Sequence, residues 1–403
     1  MSTPQIVIPS PDLTSVITKT PTWGGIDLKQ LAEHLPVEVF NQLKSDYDTP
    51  ELFFGQPKGL LDTLHMPYTK LMELHLALKR MDWRHNEFKF GVCIEEFKTA
   101  EPHIYSKMIK SLAWQWEGDS IASDSIASIF VPMASATEIK VGYTRIADNE
   151  YVHAMTYSEI VRGSFENPAE VLAEILRTRE AMGRLKTVGK LLKVARDASL
   201  KWQLTGVLTD EIYEACFLGV CAIYFLESIQ FMPSFAVTFG IVEATKQYEP
   251  IGTAVQMIAR DEYDNHVPFE REVIRLMLAT PRGAACFAKY RQVIFEAICE
   301  ILNIEIAWVD YLHEDGHELA GITPLKLKQW AIWCAAEPFG FFGMMEEASK
   351  LYTFPKTLPL GYMKTWLNIE DKQASPQEQN NNQYLFNTVN TSVITDKKYD
   401  ADF

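Results

Sequence analysis

Apolar residues recur every three or four positions through most of residues 67–336, the spacing that places them on one face of an α-helix. Runs in which apolar and polar residues alternate, as in a half-buried strand, are few. The pattern therefore predicts an all-α fold. The predicted helices are 67–82, 102–116 with a continuation through Asp119, 138–160, 168–182, 185–198, 210–230, 251–278, 282–313 and 324–336.

The two ends of the chain lack this periodicity. Residues 1–66 are rich in Pro, Gly and Thr, which predicts an extended arm over the surface. From Gln373 onward the composition turns polar, which is typical of a flexible tail. We therefore divide the chain into an N-terminal arm (1–66), a helical domain (67–372) and a C-terminal tail (373–403).

The most apolar run extends from Cys216 to Leu226 and stops at Glu227. It is too short to cross a bilayer, so we interpret it as a fully buried helix and expect no membrane contact. We expect Pro233 to interrupt this helix, because proline removes a backbone hydrogen bond and crowds the preceding turn.

Composition narrows the possible partners and the compartment. The formal net charge is −15, from 38 Lys and Arg against 53 Asp and Glu, which argues against binding to nucleic acid or to an anionic membrane. The six cysteines form no CxxC pair, so we expect reduced core thiols in a cytoplasmic protein. Pro4, Pro9 and Pro11, without a long apolar core, are unlike a secretory signal.

Acidic residues and histidines supply the candidate chemistry. Two predicted helices each carry a Glu with a His three or four residues later, and a lone carboxylate lies upstream of each pair. The pairs are Glu150 with His153 and Glu262 with His266, and the upstream carboxylates are Asp119 and Glu227. Carboxylates and imidazoles projecting from four helices are the donor set of a two-metal site in a helical bundle. Without metal, carboxylates crowded into a dry core would repel one another and bind protons.

A tyrosine lies on the same helical face as the first of these pairs. Tyr157 is one turn beyond His153, so its phenol is expected to point toward the same centre. A phenol beside an oxidising metal pair can lose an electron and a proton, and the resulting radical persists only where apolar walls exclude water. The candidate walls are Phe231, Phe235 and Ile258.

Several segments, in one order along the chain, resemble the small, radical-bearing subunit of class I ribonucleotide reductase. The resemblance covers most of the chain from about residue 50. The matching segments are Phe53-Phe-Gly-Gln-Pro57, Asp119-Ser-Ile, Glu150-x-x-His153-x-x-x-Tyr157, Leu226-Glu-Ser-Ile-Gln-Phe231, Ile258-Ala-Arg-Asp-Glu262 and Ser375-Pro-Gln-Glu378.

The resemblance implies a fold, a cofactor and partners. It implies a ferritin-like helical bundle with additional helices, assembled as a homodimer. It also implies two iron ions, with manganese possible, joined by an oxo or hydroxo bridge, which use dioxygen to generate a tyrosyl radical. A separate large catalytic subunit would use that radical to reduce ribonucleoside diphosphates to deoxyribonucleotides.

The resemblance also assigns roles to individual residues. It implies that Asp119, Glu150 and His153 hold one metal, and that Glu227, Glu262 and His266 hold the other. Tyr157 would carry the radical. Trp83 resembles the tryptophan of an electron-transfer route linked through Asp261 to His153, and Tyr384 resembles the tail tyrosine that passes the radical between subunits. The acidic end, 399–403, resembles the peptide that docks on the large subunit.

One spacing departs from the family's pattern. The family usually has two residues between the second Glu and His, whereas three lie between Glu262 and His266. A four-residue step still places both side chains on one helical face, or the extra residue is absorbed as a π-bulge. Pro268 favours a distortion because it cannot bond to the carbonyl of Asp264, and Asp264 is itself a competing ligand candidate.

Three other functions fit parts of the sequence. A stand-alone ferritin-like diiron oxidase would use the same ligands but would need a substrate cavity and no docking tail. A scaffold homologue that binds little or no metal would explain the extra residue before His266. The segment from His313 to His317 satisfies the zinc-peptidase pattern His-Glu-x-x-His, but Asp315-Gly316 predicts a turn where that motif needs a helix.

Overall fold

The computed structural model describes residues 22–23, 26–27, 50–55, 60–61, 63–319 and 321–369. Two short strands, β1 (Thr22–Trp23) and β2 (Ile26–Asp27), form an antiparallel pair, and the rest of the described secondary structure is helical. The helices are α1 (Thr69–Arg80), α2 (Val92–Lys98), α3 (Pro102–Ser125 continued by Val131–Met133), α4 (Thr137–Ser164), α5 (Pro168–Ile175), α6 (Arg179–Arg184), α7 (Lys186–Thr205), α8 (Asp210–Phe225 continued by Phe231–Thr245), α9 (Glu249–Asp261 continued by Val267–Leu278), α10 (Pro281–Leu312), α11 (Pro324–Phe341), α12 (Met345–Ala348) and α13 (Met363–Leu367).

The all-α prediction is confirmed, with three corrections to the elements. Helices α2, α12 and α13 were not predicted. The predicted helix 168–182 is two helices, because the chain leaves the helical path between α5 and α6. Helix α8 does not stop at Pro233 but continues to Thr245.

A π-helical turn at Leu226–Gln230 explains how α8 tolerates Pro233. In this turn the N–H of Phe231 bonds to the carbonyl of Leu226, five residues back instead of four. Pro233 would normally clash with the carbonyl of Ile229, which lies inside the widened turn. The helix therefore passes the proline without breaking.

Helix beginnings follow ordinary capping chemistry. The hydroxyls of Thr209, Thr280 and Thr323 each accept a hydrogen bond from a backbone N–H in the first turn of α8, α10 and α11. Pro281 and Pro324 occupy the first helical position of α10 and α11, where the missing N–H has no partner to lose.

Four helices form the bundle that matters for function. Helix α3 packs on α4, and α8 packs against both α3 and α9. The span Asp210–Thr245 is long and apolar enough to cross a membrane, but 94% of its most apolar window is buried inside the fold, as expected for a core helix. Gly118 allows α3 to approach α8, because a Cβ there would lie 2.6 Å from a ring carbon of Phe231.

Most of the predicted arm and all of the predicted tail lie outside the described residues. The described segment 50–55 packs on the bundle, where the N–H of Phe54 bonds to the carbonyl of Met133 at 2.9 Å. Leu52, Phe53 and Phe54 are buried there.

The six cysteines are free thiols, as predicted. The His-Glu-x-x-His segment lies beyond the end of α10, and Gly316 has a φ of +73° that a helix does not contain. His313 bonds to the carbonyl of Val309 and His317 stacks on His103, so this segment lacks the helical geometry of a zinc-peptidase motif.

Candidate metal centre

The bundle brings six of the predicted site residues into one cluster. Helix α3 supplies one carboxylate, α4 a Glu and a His, α8 a Glu, and α9 a Glu and a His. All six side chains are completely buried: Asp119, Glu150, His153, Glu227, Glu262 and His266.

The donor atoms of this cluster form two overlapping groups. Within each group the atoms lie within 4.8 Å of one another, which is close enough for one ion to bind them all. The first group is Asp119, Glu150, His153 and Glu262, and the second is Glu150, Glu227, Glu262 and His266. Glu150 and Glu262 belong to both groups, so each can place one oxygen toward each of two ions.

The two imidazoles face these shared carboxylates through the same ring nitrogen. Nδ1 of His153 lies 2.9 Å from Oε1 of Glu262 and 3.4 Å from Oε2 of Glu150. Nδ1 of His266 lies 2.5 Å from Oε2 of Glu262 and 3.2 Å from Oε1 of Glu150. The cluster is therefore nearly symmetric about the two shared glutamates.

The extra residue before His266 is absorbed in a π-helical turn. Residues Glu262–His266 form that turn inside α9, and the α-helix resumes at Val267. The turn lets both Glu262 and His266 point into the cluster despite their four-residue separation. Asp264, the predicted competitor, is exposed and belongs to neither donor group.

A buried ion pair supports the π-helical turn that carries Glu227. Arg184 is 2% exposed, pairs with the carboxylate of Glu305, and donates a hydrogen bond of 2.7 Å to the carbonyl of Gln230 at the end of that turn. The Gln230 side chain returns a bond to the carbonyl of Arg184 at 2.7 Å. Because a π-turn disturbs the regular carbonyl ladder, these bonds stabilise a local conformation that an α-helix would not need.

The cluster carboxylates have no ordinary hydrogen-bond partners. No described residue donates a hydrogen bond of normal geometry to any carboxylate oxygen of Asp119, Glu150, Glu227 or Glu262. Buried polar atoms are rarely left in this way in folded proteins. Buried carboxylate oxygens that converge on one centre and accept no hydrogen bond are better suited to binding cations than to hydrogen bonding.

The pKa shifts agree with this assignment. Burial, followed by the charge of Glu150, raises the pKa of Asp119 well above its ordinary value, and burial followed by the charge of Glu262 does the same for Glu227. Burial lowers the pKa of His266, but the charge of Glu262 and the close approach of Nδ1 to Glu150 and Glu262 outweigh it and raise the pKa to about 10. Such a set of donors holds protons at neutral pH unless metal cations displace them.

Asp261 orients His153 from outside the cluster. Its Oδ2 lies 3.1 Å from Nε2 of His153, and it accepts bonds of 2.7 Å from the Trp83 indole and 3.0 Å from the Asn149 amide. Because a carboxylate can only accept, Nε2 of His153 carries the hydrogen and Nδ1 presents its lone pair to the cluster. The Trp83 ring also stacks on the imidazole, with centroids 5.8 Å apart.

Asn149 orients the second imidazole, and sequence reasoning missed it. Its Oδ1 lies 2.9 Å from Nε2 of His266, while its amide nitrogen donates to Asp261. The amide nitrogen is fixed as the donor to Asp261, so the carbonyl oxygen must accept from His266 and leaves Nδ1 free to bind metal. The sequence offered one signal for this role, since Asn149 is a polar residue directly before the ligand Glu150. The helix face that carries Asn149 was not predicted to be buried.

Tyr157 is fully buried one turn from His153. Burial, then the charge of Asp119, raises the pKa of its phenol well above the ordinary value, which keeps it protonated. Its hydroxyl makes no hydrogen bond of normal geometry to a described residue. The predicted apolar walls Phe231, Phe235 and Ile258 are also fully buried. Tyr384 lies outside the described residues.

Comparisons with known proteins agree with this architecture. The family model "Ribonucleotide reductase, small chain" matches residues 61–338. The beta subunit of ribonucleoside-diphosphate reductase 1 from Salmonella typhimurium is 24% identical over 376 residues, covering 89% of this chain and 97% of the relative. The corresponding beta subunit from Enterobacteria phage T4 is 22% identical over 381 residues, covering 88% and 96%.

Solved structures show the same fold. The ribonucleotide reductase R2 subunit from Clostridium botulinum superposes with a TM-score of 0.65 at 14% identity, covering 82% of this chain and 98% of that one. Dimanganese(II)-NrdF from Streptococcus sanguinis has a TM-score of 0.57 at 12% identity, covering 70% and 92%. These likenesses confirm the predicted ferritin-like bundle. Since the family model spans well over half of the chain, this protein belongs to the ribonucleotide reductase small-chain family.

Proposed function

We propose that this chain is the radical-generating small subunit of a ribonucleoside-diphosphate reductase. The observation that carries the proposal is the buried cluster of four carboxylates and two imidazoles, with donor atoms arranged in two groups that share Glu150 and Glu262. Asp119, Glu150 and His153 would hold one ion, and Glu227, Glu262 and His266 the other. Iron or manganese fits this donor set, with an oxo or hydroxo bridge between the ions. Bound metal would supply the capacity to take single electrons after reaction with dioxygen.

The protein's own groups determine what that oxidising capacity reaches. Asp261 and Asn149 accept from Nε2 of His153 and His266, so Nδ1 of each imidazole is the nitrogen that would bind metal once a cation displaces its proton. Tyr157 is buried on α4, one turn from the ligand His153. It would give one electron to the oxidised metal pair and its hydroxyl proton to the Asp119 carboxylate, whose charge acts on the phenol, and so become the radical. The fully buried Phe231, Phe235 and Ile258 are the proposed apolar walls that would keep water and reductants from it.

A continuous set of contacts leads from the cluster toward Trp83. His153, Asp261 and Trp83 are joined by hydrogen bonds of 3.1 and 2.7 Å, and the indole is 8% exposed. This arrangement supports the proposed electron-transfer role of Trp83 and Asp261. Passage onward through Tyr384, and docking of the tail on a large catalytic subunit, are proposals from the sequence alone, as is assembly into a homodimer.

The oxidase alternative gains no support from the cavities. Two surface grooves, of about 520 and 470 Å³, lie beside Cys299 and Asp197, and neither is lined by a residue of the cluster. A diiron oxidase needs its substrate next to the metal ions. The match to the small-chain family, whose curated relatives are beta subunits, supports partnership with a large subunit.

The test is electron paramagnetic resonance (EPR) spectroscopy on protein loaded with ferrous iron and then exposed to air, with iron per chain measured on the same samples. We expect two iron ions per chain and a tyrosyl signal that Tyr157→Phe removes without changing the iron content. Protein that holds little iron would favour the scaffold interpretation. Full iron content without a radical, tested also with manganese, would refute the radical function.

Partnership with a large subunit has a separate test. Truncation after Lys372 should abolish nucleotide reduction in the presence of a large subunit while leaving the iron content and radical yield unchanged. Activity that survives the truncation would contradict the docking role of the tail.

A further inference from the structure

A second buried tyrosine lies near the cluster, and none of the roles above uses it. The hydroxyl of Tyr143 donates a hydrogen bond of 2.9 Å to Oε2 of Glu270. Both side chains are completely buried. The other carboxylate oxygen, Oε1 of Glu270, has no hydrogen-bond partner among the described residues. A carboxyl group buried with only one partner is costly, which calls for an explanation.

The pair lies close to the metal ligands along two helices. On α4, Tyr143 and Tyr157 flank Glu150 on opposite sides, and each is about two helical turns, or roughly 10 Å, away. On α9, Glu270 is about one turn beyond His266. The spacing places both tyrosines on the helix face that carries Glu150, one toward each end of the cluster.

Aromatic rings enclose Tyr143. Phe130 stacks on it with centroids 5.2 Å apart, and Phe269 meets it edge-on at 5.3 Å. Phe53 lies at 6.2 Å. These rings exclude water, the condition that also protects a phenoxyl radical from reductants.

A hydrogen-bonded acceptor favours the oxidation of a buried phenol. Removal of an electron makes the phenol strongly acidic, and a positioned acceptor takes up the proton in the same step. Tyr248 and Tyr362 donate to the backbone carbonyls of Glu96 and Ala236, which cannot hold a proton. Ionised Glu270 can hold one. Burial raises the pKa of Glu270 to about 8, so the ionised form is well populated only once the pH reaches about 8, and it is then a stronger base than an ordinary Glu.

One other buried tyrosine bonds to a carboxylate but is less protected. Tyr224 donates to Glu337, whose side chain is 36% exposed and ion-paired with Arg271. Solvent and reductants reach that pair, whereas they do not reach Tyr143 and Glu270. Tyr224 therefore provides a matched control.

We propose that Tyr143 is a second redox-active tyrosine of this centre, with Glu270 as its proton acceptor. The proposal rests on the metal-dependent oxidation proposed above. Tyr143 gives one electron to the dimetal centre that dioxygen has oxidised. Its O–H bond breaks and the proton forms a new O–H bond on Oε2 of ionised Glu270, which leaves a neutral phenoxyl radical beside a neutral carboxylic acid. Tyr143 thus supplies an electron when Tyr157 has already reacted or is absent.

The experiment uses the full-length chain at a pH above 8, where Glu270 is ionised, loaded with ferrous iron and exposed to air, with rapid-freeze EPR and iron analysis on every sample. In Tyr157→Phe, we expect a second tyrosyl signal that narrows when the protein is labelled with ring-deuterated tyrosine. Adding Tyr143→Phe should remove this signal, and adding Tyr224→Phe should leave it. Adding Glu270→Gln, which keeps the shape but holds no proton, should slow its formation by about a hundredfold or more, the usual contribution of a positioned proton acceptor.

The outcomes separate this proposal from the one on which it rests. A radical in the wild type, with Tyr157→Phe silent at full iron content, would overturn the role of Tyr143 and leave the proposed function intact. A second signal that survives Tyr143→Phe or disappears with Tyr224→Phe would also overturn it. An iron-loaded wild type with no radical would overturn both proposals. The second tyrosyl signal and its narrowing by ring-deuterated tyrosine are both measured in Tyr157→Phe, in which Tyr143 is unchanged. The test therefore does not depend on how well the Tyr143→Phe protein folds.

Discussion

Asn149→Leu is the most informative single substitution for the metal centre. Leucine nearly preserves the volume but removes the carbonyl that lies 2.9 Å from Nε2 of His266 and the amide that donates to Asp261. His266 then loses the contact that fixes its tautomer and ring orientation. Outer contacts of this kind typically account for a 10- to 100-fold difference in metal affinity, or about 1.4–2.7 kcal/mol. We expect the loss mainly in the ion bound by His266, because His153 keeps its bond to Asp261.

The same substitution affects stability by a separate route. It leaves the Nε2–H of His266 buried without a partner, which costs about 1–3 kcal/mol. Asp261 loses one of three donors and retains Trp83 and His153. The metal-free variant should therefore remain folded but unfold at lower urea concentration.

The assay is anaerobic titration of ferrous or manganous ion against a competing chelator, resolved into two binding events per chain. Asn303→Leu is the control, since its amide oxygen accepts a hydrogen bond from the Tyr352 hydroxyl at an exposed position and it belongs to neither donor group. Unchanged affinities for both ions in Asn149→Leu would refute the argument that the Asn149 carbonyl prepares His266. An equal loss at both ions would place the effect on Asp261 instead.

Three further predictions concern the surroundings of the centre. Burial raises the pKa of Glu270 to about 8, so its neutral form contributes stability that is complete below the ordinary Glu pKa and is lost as the pH rises through about 8. The melting temperature should therefore fall across this pH range, and Glu270→Gln should flatten the fall. An unchanged slope in the variant would contradict this. Arg184→Met leaves the buried carboxylate of Glu305 unpaired and should lower the free energy of unfolding by about 3–5 kcal/mol in urea titrations. Removing the charges of both Arg184 and Glu305 should restore much of this lost free energy. Gly118→Ala places a methyl group against the ring of Phe231 and should cost about 1–3 kcal/mol by the same measurement, unless the ring can move aside.

The ligand set could be predicted from the sequence because the number of residues between two positions on a helix determines whether their side chains point in the same direction. Glu150 and His153 lie on one face wherever the helix runs regularly, and the upstream carboxylates needed only helices that pack together. The contacts that orient the ligands could not be predicted in this way. Asn149 and Arg184 act through residues distant in sequence, and their partners are fixed by how helices cross, which no local pattern specifies.

The π-helical turns could be predicted only in part, unlike the ligands, which the sequence predicted, and the contacts that orient them, which it did not. The described chain has them at Ile126–Phe130, Leu226–Gln230 and Glu262–His266. Each precedes a proline, Pro132, Pro233 or Pro268, by two or three residues, and the carbonyl with which that proline would clash lies inside the turn. Only the third turn was anticipated, because the family spacing drew attention to it. The error at Pro233 came from treating proline as a helix stop, when a wider turn upstream removes the clash.

This relation gives a prediction about the extra residue in α9. If the π-turn is one residue inserted into an otherwise regular helix, deleting the exposed Asp264 should convert it to an α-turn and leave both flanking segments in register. Glu262 and His266 would then have the family's usual spacing. Pro268 would face a regular carbonyl ladder, however, and a proline inside an α-helix costs about 3 kcal/mol.

The deletion and Pro268→Ala should therefore be strongly coupled. We expect the deletion alone to lower the free energy of unfolding by about 3 kcal/mol, and the deletion combined with Pro268→Ala to recover most of that loss and to bind two metal ions per chain. Deletion of Ala259, in the regular part of α9, is the control, because it rotates every later residue by about 100° and should abolish metal binding. Urea unfolding and metal analysis measure both effects. If the combined variant binds no more metal than the Ala259 deletion, the turn is not a simple insertion, and the position of His266 depends on the widened backbone itself.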